Sequence, residues 1–84
     1  MASMTVADIF ETLNDSQREM VYYLVGYAMD TGRNYIAGTG AFDNDKQREL
    51  RAVHKTLNEI QKAMVAMIVG EAIFEHNQSR SKGE

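Results

Sequence analysis

Few side chains in this chain could carry chemistry. His54 and His76 are the only histidines, and there is no cysteine. A zinc site draws several such ligands together at short spacing. These two lie far apart and form no His-x-x-x-His pattern, so they read as surface or half-buried histidines. Thr12 and Thr56 sit just before Leu-Asn dipeptides and read as helix-end residues rather than nucleophiles. No pair of carboxylates or nucleophile–base pair stands at useful spacing. Gly38-Thr39-Gly40 lacks the Lys-Ser/Thr ending and the preceding strand of a phosphate loop. The expectation is therefore a non-enzymatic protein without metal or cofactor.

The remaining candidates suit contact rather than catalysis. Tyr22, Tyr23 and Tyr27 cluster on one segment, and tyrosine combines apolar area with a hydroxyl at interfaces. Arg48, Arg51 and Lys55 form a basic stripe that Lys62 continues. Glu11 aligns with Lys55 across the repeat described next, a sign reversal that could pair acidic and basic helices within or between chains. Core-edge packing for the tyrosines and a solvated face for the charges are the plainer readings.

The elements that position these residues occur twice. Residues 6–34 align with 50–78 at an offset of 44, with nine identities: Thr12/Thr56, Leu13/Leu57, Asn14/Asn58, Gln17/Gln61, Met20/Met64, Val21/Val65, Val25/Val69, Gly26/Gly70 and Ala28/Ala72. Average composition would supply roughly two. Such self-similarity constrains architecture before any local assignment.

Eighty-four residues suit one small domain, near the lower limit for a core without covalent staples. The apolar fraction of 44% is that of a globular chain rather than a disordered one. The absence of proline favours helix, and the net charge of −3 offers no general attraction to nucleic acid or anionic lipid. The longest apolar run, Ala63 to Phe74, is interrupted by Glu71 and falls short of the ~20 residues of a membrane span. No signal peptide is visible. Met1-Ala2-Ser3 ahead of Met4 reads as a cloning remnant.

Each copy predicts a short helix, a tight corner and a longer helix. Thr5 with Asp8 and Asn14 with Gln17 form capping boxes, and Asn44/Gln47 and Asn58/Gln61 repeat the pattern. The second helix is expected over about Asp15 to Asp30, closed by Gly32. Ile60 replaces Ser16 at the second corner and extends a heptad pattern, so one bent helix over 45–75 competes there with a corner at Asn58. The shared cap favours the corner. The linker over 31–43 is glycine-rich, and Tyr35, Ile36 and Phe42 offer groups that pin it to the bundle. Its length suits a packed crossover, or a loop that binds or moves.

Glycine inside a helix costs up to about 1 kcal/mol relative to alanine, yet Gly26 and Gly70 recur. On a helical wheel Met20, Val21, Leu24 and Ala28 share one face, while Tyr22, Gly26 and Met29 share the other. In the second copy Ala66, Gly70 and Ile73 form that other face. The economical expectation packs each long helix on its own short helix. It crosses the two long helices at Gly26, Gly70 and Ala66; the alternative is that these faces meet a second chain. The fold class is then all-α: a four-helix domain of two repeated helix-turn-helix hairpins with an approximate internal two-fold. The domain spans 5–77, and residues 1–4 and 78–84 are expected to be disordered or cloning-derived ends.

The string from Val6 to Gly26, VADIFETLNDSQREMVYYLVG, resembles a short helical, scaffold-like segment upstream of the shell-forming part in some tailed-bacteriophage capsid precursors. That segment follows Phe-x-Thr/Ser-Leu/Met-x-x-x-Gln-Lys/Arg-x-x-Val-Tyr-x-Leu/Ile-x-Gly, and Thr56 to Gly70 matches it more weakly. This chain departs from the pattern in having two copies, no shell domain and no acidic linker, which a stand-alone scaffold-like protein would fit. The resemblance implies virion assembly in the host-cell cytoplasm through protein–protein contact, either with itself as a homo-oligomer or with a capsid-like partner. It implies no catalytic residues. A helix-turn-helix DNA binder using Arg48, Arg51, Lys55 and Lys62 is the competing class, opposed by the net charge. A small inhibitor of a host protein would use the same surfaces.

Overall fold

The structure is a computed structural model that describes residues 4–37 and 44–83, with side chains as far as Arg80. Gly38, Gly40 and Phe42, three of the linker residues singled out in the sequence, lie outside the described residues. Four helices follow in order: α1 (Val6–Glu11), α2 (Asp15–Thr31), α3 (Asp45–His54) and α4 (Glu59–Gly83). The described residues are otherwise turns and irregular backbone.

Three of the four capping boxes form in full; at α3 the Asn44 side chain accepts from the Gln47 amide, but the Gln47 side chain turns to the Tyr35 carbonyl instead of closing the box. At α1 the Thr5 hydroxyl accepts from the Asp8 amide while the Asp8 carboxylate accepts from Thr5, both at 3.1 Å. At α2 the Asn14 side chain accepts from the Gln17 amide and Gln17 Oε1 accepts from the Asn14 amide, both at 2.9 Å. Asn58 and Gln61 make the same exchange at 2.8 and 2.9 Å. The corner at Asn58 is therefore real, and residues 45–75 are two helices. Ile60, whose heptad spacing favours a straight helix, is exposed and gains little by continuing it. Gly32 ends α2 with φ 73°, in the left-handed region that glycine enters without a Cβ penalty. At the far end α4 continues to Gly83, beyond residue 77 where the sequence pattern placed the domain's limit.

One core joins the helices. It contains Leu13, Met20, Val21, Leu24 and Ala28 from the first half, and Leu50, Leu57, Met64, Val65, Val69 and Ala72 from the second. Ile36, from the connection between α2 and α3, completes it. Full burial of a Met or Leu side chain is worth about 1.5–3 kcal/mol, and Met20, Leu24 and Met64 are almost wholly enclosed.

Two expectations about packing are corrected. The long helices α2 and α4 make the main contact, α1 packs on α4, and α3 packs on α2. Each short helix thus leans chiefly on the long helix of the other half rather than its own. The long helices also meet on the Met20/Leu24/Ala28 face, not on the glycine face. Gly26, Gly70 and Ala66 are exposed, and a Cβ added to either glycine would meet nothing within 4 Å. The physical reason is area. The first face offers long and branched apolar side chains to bury, and its small residues are Ala28 and Ala72, both buried.

Candidate interaction surfaces

Two threonines and two glutamines fix how the halves meet. Gln17 Nε2 donates to Thr56 Oγ1 at 2.9 Å, and Gln61 Nε2 donates to Thr12 Oγ1 at 2.9 Å. Each threonine hydroxyl in turn donates to a carbonyl three residues back, Ile9 or Val53, at 2.6 Å. Gln17 and Gln61 are buried, and a buried amide is tolerated when its polar atoms find partners. The first turns of α2 and α4 therefore lie together. Further along, His76 Nδ1 donates to the Met29 carbonyl at 2.8 Å, so the two long helices run in the same sense. Sequence reasoning read these four residues as caps and missed the cross-bonds. The signal was the exact recurrence of Thr-Leu-Asn-x-x-Gln in both copies.

The three tyrosines border one depression but differ in their ring partners. Tyr23 and Tyr27 flank Tyr35, with ring centroids 5.0 and 4.7 Å away, and hold down the chain leaving α2. The Tyr35 hydroxyl lies 3.3 Å from Asn44 Oδ1, and Gln47 Nε2 donates to the Tyr35 carbonyl at 3.1 Å. With Ile36 in the core, this described part of the linker is packed. The hydrogen bond with Tyr35, together with burial, raises the Tyr23 phenol above its ordinary value, and Lys46 Nζ sits 4.8 Å from the Tyr23 ring. Tyr22 faces elsewhere, with its ring 5.6 Å from Phe10, and is two-thirds exposed. Gly26 leaves a shallow depression among Tyr22, Tyr23, Tyr27 and Asp30.

The basic stripe is partly committed. Arg48 pairs with Asp45, and Lys46 with Glu49 at 3.4 Å. Lys55 is exposed. Arg51 and Lys62 both lie close enough to His54 to repel its proton. Burial first, then those two cations, hold the His54 imidazole below its usual range. Among the described residues no group of three His, Cys, Asp or Glu side chains could hold a metal ion, and no helix is long and apolar enough to cross a membrane.

Outward faces remain. On α2, Tyr22 and Met29 are exposed on either side of Gly26. On α4, Ile60, Met67 and Phe74 are exposed along the side away from the core. No protein-family model, curated protein or solved structure matches this chain.

Proposed function

We propose that this chain is a non-enzymatic protein–protein interaction module, an assembly or scaffolding protein of the tailed-phage type acting in the host-cell cytoplasm. One observation carries the reading: the long helices fill the core with one face and leave large apolar side chains exposed on the other. Contiguous exposed apolar surface on a small protein marks contact with a partner. The resemblance of residues 6–26 to capsid-precursor segments supplies the class of partner, a shell-forming protein or the chain itself.

The same reading treats the molecule as two equivalent hairpins about an approximate two-fold axis. The reciprocal Gln17–Thr56 and Gln61–Thr12 bonds support it, as does the burial of Leu13/Leu57, Met20/Met64, Val21/Val65 and Ala28/Ala72 at matching positions. The test is co-sedimentation and light scattering with a purified tailed-phage capsid precursor. A defined complex is expected, and absence of binding at high micromolar concentrations of both proteins overturns the assignment. A gel shift at low salt tests the DNA-binding alternative. Salt-sensitive binding, which phosphate contacts require, would replace the proposal.

A further inference from the structure

The outer side of α4 carries Ile60, Ala63, Met67, Gly70, Phe74 and Asn77, spaced alternately three and four. All six are exposed, with Ile60 at 55%, Met67 at 47% and Phe74 at 60%. This is the seam of a coiled coil, and no element of the described chain covers it. No charged residue stands on it.

We propose that this seam pairs antiparallel with the same seam of a second copy, which rests on the assembly reading above and names its self-contact. The argument is size. The first position of each heptad is large (Ile60, Met67, Phe74) and the fourth is small (Ala63, Gly70, Asn77). An antiparallel pair sets first positions against fourth positions, so every layer matches large with small. Met67 faces the partner copy's position 70, and Phe74 faces its position 63. A parallel pair would stack large on large and leave gaps at the glycines, and facing positions pack best when large alternates with small.

Charge agrees with this choice. Glu59 begins α4 and Arg80 lies near its end, on the same flank of the seam by helical spacing. Antiparallel pairing faces this flank with itself and brings each beside the other copy's opposite charge, whereas parallel pairing faces it with the opposite flank, where neither meets an opposite charge. The recurrent glycine also gains a purpose. With nothing within 4 Å of an added Cβ inside its own chain, Gly70 is free to receive a methionine from outside it.

Sedimentation equilibrium from low micromolar to millimolar protein is the test, read against the chain mass of 9.5 kDa. A rise towards twice that mass is expected. Met67→Glu and Gly70→Leu should each hold the mass at one chain while melting no earlier than the parent does at concentrations where it too is one chain, because both positions are exposed in the single chain. The chain has no cysteine, so Met67→Cys and Gly70→Cys each introduce a single thiol. When the two variants are mixed and oxidised, the mixed disulfide should exceed both homodisulfides. A dimer that survives both Met67→Glu and Gly70→Leu, or homodisulfides in excess, overturns the pairing. A strict monomer that still binds the capsid precursor overturns this inference and leaves the proposed function standing. A dimer that dissociates in both variants yet ignores the precursor upholds the pairing and removes the function.

Discussion

The Gln17 side chain bonds in two directions at once, its Oε1 accepting from the Asn14 amide to close the cap of its own helix and its Nε2 donating to Thr56, 39 residues away. Replacing it with leucine would take one bond each from the Asn14 amide and the Thr56 hydroxyl, and at a net ~0.5–1.5 kcal/mol per hydrogen bond the two together are worth about 1–3 kcal/mol. Urea denaturation of Gln17→Leu and Gln61→Leu should show similar losses of that size. The double mutant Gln17→Leu/Thr56→Val should fall short of additivity, because the two changes remove one shared bond. His54 supplies a second prediction. Its pKa is depressed in the folded protein, so the folded state holds the proton less tightly than the unfolded chain. Stability should be full above the unfolded value near ~6.5 and decline as pH falls through the lower folded value. His54→Gln should flatten that decline in melts between neutral and mildly acidic pH; an unchanged slope would show that His54 does not contribute. At this scale the cap was legible, because three-residue spacing is local. The cross-bond was not, because nothing local says which threonine a glutamine will reach.

Helix boundaries were readable where a capping residue and a periodic apolar face coincide, as at Thr5, Asn14, Asn44 and Asn58. The inequality suggested by Ile60 was misleading. Its apolar character extends a heptad on the outer side of α4, where continuity earns no core contact. The two corners make the same capping hydrogen bonds, and Asn14→Ala and Asn58→Ala should each cost about 1 kcal/mol with both variants unchanged in association state. Thermal melts that differ by much more than this between the two variants would restore the inequality. The glycine faces show a second limit of pattern reading. Each long helix is apolar on two sides, and periodicity alone does not say which side faces inward. Side-chain area decided it, with Met20, Leu24 and Met64 inside and the glycines outside.

For the molecule as a whole, an all-α chain of four helices was legible, but the partnering of short with long helices was not. Contacts between α1 and α4 and between α3 and α2 depend on three-dimensional fit across the linker. They predict that neither half is stable alone. A fragment of residues 1–40 and one of 41–84 should each be largely disordered by circular dichroism and gain helix when mixed in equal amounts. A well-folded isolated half would contradict the arrangement described here. The same contacts set an order of events during synthesis. Of these four helices the last to be made, α4, is the one on which both α1 and α2 depend. Until α4 has emerged, Met20, Val21, Leu24 and Ala28 have no lid, and at ~5–20 residues per second that interval lasts on the order of several seconds. During it, the nascent first half is a sticky, largely unfolded segment that any neighbouring copy, or a chaperone, can reach before its own second half does.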